Sequence, residues 1–243
     1  SSMDAAKIIA VLLNSTQTLE EIYGIGNIKG WRSALALVPT TAGTGSEVTD
    51  IAVVTTDDDQ KMGVLGDPMF ADVAILDPAL TYGLPRPVTA ATGVDAMVHA
   101  IEAYTNRHRK NPVSDALARE ALKLLAANIV EACENPSNEE ARAQMLLGSM
   151  LAGQAFTNSP VGAVHGMAYP LGALFHVPHG LSNALMLEPV LRFSASAAAP
   201  LYAELGDVIG ANATGGYAER ADAFIAKLTG IVAATGVERR LSA

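Results

Sequence analysis

Between residues 143 and 187 the chain carries no Asp, Glu, Lys or Arg, yet three of its five histidines, His165, His176 and His179, fall in that interval. A stretch this long without a charge has no solvated face to offer, so it lies inside a folded domain or inside a bilayer. Pro160, Pro170 and Pro178 break it, and Gln154, Asn158 and the histidines interrupt its apolar character, which argues against a membrane span. What remains is core helices and loops with imidazoles among them. Their ring nitrogens must be satisfied by ordinary hydrogen bonds or by a metal ion, which takes neutral imidazole readily. The spacing matches no short metal-finger pattern, so this stretch alone leaves both readings open.

A second segment bears on the choice. Residues 93–104, GVDAMVHAIEAY, read as a helix from their alanine content and the recurrence of apolar residues. Residues four apart share a helix face, so Asp95 and His99 can converge on one point. With His165 and His179 they offer one carboxylate and three imidazoles. That set suits a divalent transition metal such as iron, zinc, nickel or cobalt, with a position left for a substrate oxygen.

The pair DAMVHAIEAY and HGMAYPLGALFHVPHG resembles the signature motifs of the iron-containing (group III) alcohol dehydrogenases. The resemblance extends to VPTTAGTGSEVT at residues 38–49, which is similar to that family's nicotinamide-side loop, and to SSMDAAK at residues 1–7. It implies that Asp95, His99, His165 and His179 hold the metal, Fe²⁺ or Zn²⁺ in its place, and act catalytically through it. It implies NAD or NADP as cofactor, contacted by Ser1, Ser2, Thr40, Thr41, Thr44 and Lys61, with Ser46 and Thr49 as further contacts. A small alcohol or aldehyde is the implied substrate. The fold implied is the dehydroquinate synthase-like architecture, an α/β nucleotide-binding part followed by an all-α metal-binding domain. Within that pattern Tyr169 stands where many members carry a second histidine, and Phe156, Asn158 and Val161 resemble pocket-lining positions. His176 falls outside the ligand pattern, which leaves it a rim position. Members carry a Gly-Gly-Gly-Ser turn and several strands ahead of the first helix and more helix after residue 243, so the chain resembles an internal fragment. Two rival readings stand beside this one: a zinc enzyme of the glycerol dehydrogenase type, and a metal-binding domain without redox activity.

The remaining expectations come from the residues themselves. A net charge of −9 argues against nucleic acid or an anionic membrane as partner. A lone Cys133 cannot form an intrachain disulfide, which points to a reducing cytoplasm. Residues 4–13 form a short helix capped by Ser1 and Ser2, whose N-terminus suits an anion. Residues 34–39 read as a strand buried on both faces, and 48–56 with 61–65 as a hairpin turning through Asp57, Asp58 and Asp59. At residues 84–87 (Leu-Pro-Arg-Pro) the strand vocabulary ends, dividing the chain into 1–84 and 85–243. Helices are expected over 90–104, 114–133, 139–156, 164–174, 183–191, 201–209 and 217–234. His108, among Arg107, Arg109 and Lys110, belongs on the surface. With the faces of the 34–39 strand uncovered, a homo-oligomer is expected.

Overall fold

The computed structural model describes residues 1–56 and 60–240. Asp57, Asp58 and Asp59, which were expected to form an acidic turn, lie outside the described residues, as do residues 241–243. The first part of the chain opens with helix α1 (Ser2–Leu12). Its N-cap is a full capping box. The Ser1 hydroxyl accepts from the Asp4 amide while the Asp4 carboxylate reaches back to the N-terminal amine, satisfying amides that the helix cannot.

Five short strands follow: β1 (Gly24–Ile25), β2 (Ala36–Leu37), β3 (Ile51–Thr55), β4 (Lys61–Leu65) and β5 (Val73–Ala74). They form a three-stranded sheet in the order β1-β4-β3, with β1 parallel and β3 antiparallel to β4, and a two-stranded parallel sheet of β2 and β5. The expected hairpin is thus the β3–β4 pair. Ile8 and Val11 of α1 pack with Ile22, Ala52, Val64 and Met69 to give this part a small core of its own. The 34–39 segment departs from expectation. Only two of its residues form a strand, Leu37 is buried, Ala36 is exposed and Val38 is 38% exposed. An apolar run reads the same whether one face or both are covered, and here β2 has a single paired neighbour.

The helical part is α2 (Arg86–Thr105), α3 (Pro112–Glu134), α4 (Glu139–Asn158), α5 (Ala163–Phe175), α6 (His179–Val208) and α7 (Tyr217–Thr235). Helix α2 is the axis. All its residues from Gly93 to Tyr104 are buried, and α3, α4 and α6 pack around it. Gly93 permits this closeness, since a methyl there would meet Ile129 and Met145 at 2.8 Å. The two helices expected over 183–191 and 201–209 are one, because α6 runs on through Pro189 and Pro200. A proline forfeits only its own hydrogen bond and strains one turn; burial of Tyr202 and Leu205, with Tyr202 against Phe224 of α7, outweighs that loss. Among the described residues no helix is long and apolar enough to cross a membrane.

Candidate metal centre

Asp95 and His99 project from the middle of α2, where the helix is buried on every side. His165 sits in the first turn of α5, and His179 opens α6. The turn between α5 and α6 sets the last of these. His176 ends α5 in the left-handed region at φ 55°, so the chain reverses and His179 comes back toward α2. Gly180 lets it come close, because a Cβ there would lie 2.5 Å from the Ala91 carbonyl oxygen. One ligating atom from each of Asp95, His99, His165 and His179 falls within 4.8 Å of all the others. The structure therefore brings all four expected ligands to one place. His176 is exposed and outside the group, and His108 is exposed on the surface.

The cage is dry on three sides and open on the fourth. Asp95, His99 and His165 are 1%, 5% and 2% exposed, whereas the His179 side chain is 45% exposed. The His99 ring is sandwiched between Phe156 at 4.5 Å and His165 at 4.7 Å. Tyr169 stands at the open side, half exposed, with its ring parallel to His179 at 6.1 Å and edge-on to His165 at 6.3 Å. Burial, and then the Glu102 and Asp95 charges, raise the Tyr169 phenol above its ordinary value. At neutral pH its hydroxyl is a hydrogen-bond donor rather than a base.

Two residues complete the cage that the sequence motifs did not single out. Glu102, one turn beyond His99 on α2 and 6% exposed, uses both carboxylate oxygens. Oε2 is 2.7 Å from His165 Nδ1 and Oε1 accepts from the Val164 amide at 2.6 Å. It thereby caps α5 and holds the His165 ring, placing the proton on Nδ1 and turning Nε2 toward Asp95 and Asn183. Asn183, one turn after His179 on α6 and fully buried, points its Nδ2 at Asp95 Oδ1 (2.5 Å), His165 Nε2 (3.2 Å) and His179 Nε2 (3.3 Å). An NH₂ group has two hydrogens for these three acceptors. Both residues carried a signal: an acid inside an apolar helix, and an amide on the face of His179.

The electrostatics are those of lone pairs crowded together. Burial alone would raise the Asp95 carboxyl, but the neighbouring His99, His165 and His179 rings together hold it well below the usual carboxylate range. Burial lowers His99 to about 4 against the pull of Asp95. For His165 burial also acts downward, but the neighbouring Asp95 and Glu102 carboxylates act upward and outweigh it. His99 Nδ1 and Asn183 Oδ1 remain buried without a partner. Three imidazoles and a carboxylate converging on one point, with polar atoms left over, fit a divalent transition metal in chemistry and in spacing.

The candidate cofactor residues lie on the α/β side. Ser1 and Ser2 are exposed at the N-terminus of α1, and Thr40, Thr41 and Thr44 lie in the loop after β2. The Ser46 hydroxyl donates to Asp4 Oδ1 at 2.7 Å and so joins that loop to the α1 terminus. The loop is pressed on the helices that flank the cage. Gly45 (φ 60°) abuts Gly153 of α4, where a Cβ would lie 2.6 Å from the Gly153 Cα, and a Cβ on Gly43 would meet Thr92 of α2 at 2.8 Å. Lys61, at the start of β4, is hydrogen-bonded to Thr55. Asn158 lines an open hollow of about 380 Å³ together with buried Glu47 and with Phe70, Leu117 and Gln154; none of the four cage residues lines it.

Comparison with known proteins bears on this geometry. The family described as Fe-containing alcohol dehydrogenase, C-terminal, matches residues 89–243, and the one described as iron-containing alcohol dehydrogenase matches residues 1–78. A long-chain-alcohol dehydrogenase of Geobacillus thermodenitrificans is 41% identical over 226 residues, 88% of this chain and 54% of the relative. A 1,3-propanediol dehydrogenase of Klebsiella pneumoniae is 39% identical, covering 94% of this chain and 60% of the relative. The crystal structure of a 1,3-propanediol oxidoreductase superposes with a TM-score of 0.96 at 37% identity, over 99% of this chain and 63% of that one. A sulfoacetaldehyde reductase from Bifidobacterium kashiwanohense, solved with NAD⁺, gives a TM-score of 0.86 at 32% identity, over 99% of this chain and 62% of that one. The chain thus spans a little over half the length of the curated relatives it matches.

Proposed function

We propose, since the chain belongs to the iron-containing alcohol dehydrogenase family, that it forms the metal-holding part of an oxidoreductase moving a hydride between a small alcohol and NAD(P). The alcohol becomes an aldehyde or ketone, the nicotinamide takes the hydride, and a proton is released. The observation that carries this reading is the convergence of Asp95, His99, His165 and His179 to within 4.8 Å. A divalent metal there supplies a Lewis acid that lowers the pKa of an alcohol hydroxyl. Fe²⁺ is the metal proposed, with Zn²⁺ able to take its place.

The residues around that point do the rest. Glu102 holds the His165 ring so that Nε2 faces the cage. Phe156 closes one side against water by stacking on His99. The exposed flank of His179 and the ring of Tyr169 form the way in for substrate, with the Tyr169 hydroxyl as a donor toward it. The Gly43–Thr92 and Gly45–Gly153 contacts seat the hydroxyl-rich loop against α2 and α4, and the Ser46–Asp4 bond ties it to the α1 terminus. Thr40, Thr41 and Thr44 on that loop, Ser1 and Ser2 at the α1 terminus and Lys61 are the proposed cofactor contacts. The helix dipole at the α1 terminus favours a phosphate. Residues 1–84 then serve the nucleotide and 85–243 the metal.

Metal analysis of the purified chain, with fluorescence titration of NADH and NADPH and a panel of alcohols and aldehydes, tests this. The expected result is one equivalent of metal that stays through desalting, and nucleotide binding that weakens on Thr40→Ala or Thr44→Ala. A chain that retains no divalent metal after incubation with Fe²⁺ or Zn²⁺ would refute the reading.

A further inference from the structure

Asn183 meets the cage in a way that the proposed function does not use. It is fully buried on the same face of α6 as His179, and its Nδ2 approaches three acceptors at once: Asp95 Oδ1 at 2.5 Å, His165 Nε2 at 3.2 Å and His179 Nε2 at 3.3 Å. The two ring nitrogens are each 3.6 Å from that same Asp95 oxygen, so the amide nitrogen is seated against one tight group of lone pairs. Its Oδ1 is buried with no partner. Everything the side chain gains by hydrogen bonding, it gains through its NH₂ group.

Glu102 and Asn183 act on the cage with opposite sign. Glu102 accepts at the far side of the His165 ring, at Nδ1, which makes Nε2 a better electron donor to a metal. Asn183 donates to Nε2 itself, to the matching nitrogen of His179 and to the Asp95 oxygen beside them. An imidazole nitrogen has one lone pair, which serves an N–H or a cation and not both. A cation also repels the positive end of an NH₂ dipole. Resting on the metal reading above, we propose that Asn183 is a built-in competitor for the metal: its NH₂ group ties Asp95, His165 and His179 together while no cation is bound, and turns away from the two imidazole lone pairs when one binds. The outer torsion of an asparagine is broad and roughly two-fold, so a half-turn is cheap, and it carries the unpartnered Oδ1 toward the incoming positive charge. The residue thus lowers metal affinity in exchange for a cage that is already assembled.

Parent and Asn183→Ala, each stripped of metal and then titrated with Zn²⁺ against a competing chelator, test this through two readouts that should move in opposite directions. The stripped variant is expected to melt roughly 5 °C below the stripped parent, since a buried position opens and Asp95 loses a donor. Its Kd for zinc is expected to tighten by roughly 10- to 100-fold, the worth of one hydrogen bond to a charged acceptor. A residue that merely packs would lower the melting temperature and leave the Kd unchanged or weaker. Should the variant not fold, the parent labelled with ¹⁵N-asparagine decides the matter: the Asn183 NH₂ proton signals, held downfield by Asp95 in the stripped chain, should move upfield as zinc is added. Signals that stay in place or move further downfield would overturn the proposal, as would a Kd in Asn183→Ala no tighter than the parent's. A parent that takes up no zinc would overturn the metal reading as well, which separates the two failures.

Discussion

Two buried polar centres, one on each side of the loop at residues 40–46, differ in how completely they are satisfied. On the α/β side, Lys7 of α1 is fully buried, and its Nζ donates to the Thr49 carbonyl, the Thr49 hydroxyl and the Ile51 carbonyl at 2.8, 2.9 and 2.9 Å. An ammonium has three hydrogens, and each has an acceptor. On the helical side, Asp95, His99, His165, His179 and Asn183 crowd acceptors around too few donors, and His99 Nδ1 and Asn183 Oδ1 are left over. The lysine is a finished structural device that pins α1 to β3. The histidine cage brings several lone pairs to one point, where a divalent cation would meet them at once. Buried polar groups that account for one another hold a fold together, and those that do not mark a site.

The sharpest way to break this contrast is to remove one member of the cage. His99→Ala is expected to reduce bound metal from about one equivalent to near none, because the ligand set falls to three and a dry, stacked position opens. His108→Ala, at the exposed histidine, should leave metal content unchanged. Metal analysis of the two variants after identical loading checks both. Equal metal in His99→Ala and the parent would mean that the cage is an ordinary polar core.

A smaller effect is expected from Glu102→Gln. The amide oxygen can still accept from His165 or from Val164, but the other end of the side chain can no longer accept. Loss of a carboxylate that orients a ligating histidine weakens metal binding by roughly 10- to 100-fold, measurable by competition with a chelator. The far-ultraviolet spectrum should remain that of the parent. Unchanged affinity would reduce Glu102 to the cap of α5 and nothing more.

The two centres were also unequally legible in the sequence. The cage could be found because its four residues fall in two compact segments, one with helical i, i+4 spacing and one in a charge-free stretch. The α/β fragment followed by an all-α part was legible for the same reason, since strand and helix vocabularies separate cleanly near residue 85. Lys7 could not be read this way. Nothing local distinguishes a lysine whose amine meets carbonyls 42 and 44 residues away from one in solvent. Glu102 and Asn183 carried only the weak local signals noted above, and what they hold was not legible, because their partners lie 63 and 88 residues distant. Burial of the 34–39 segment was overestimated, as an apolar run does not reveal how many of its faces are covered. Continuity of α6 was underestimated, because two prolines weigh heavily in a local reading and lightly beside the packing of α6 on α7.

The smallest effect is the one that tests the satisfied centre. Lys7→Met should leave metal content untouched and cost about 1–3 kcal/mol, since it strands buried carbonyls while also removing a buried charge. The ordinary lysine value is 10.5, and burial brings Lys7 down to about 8 against the attraction of Asp4, Glu47 and Asp50. Between those two pH values the unfolded chain therefore binds more protons at this side chain than the folded chain does. Stability contributed here rises with pH across that window, is fully present above 10.5, and is lost as pH falls toward 8. Other groups titrate in the same range, burial raising Tyr202 to about 12 among them, so the parent's own profile does not isolate the lysine. The difference between parent and Lys7→Met does. Denaturant unfolding at intervals from pH 7 to 10.5 should show the parent's advantage widening as pH rises, and a difference that stays flat would mean that the Lys7 amine keeps its ordinary affinity for a proton despite its burial.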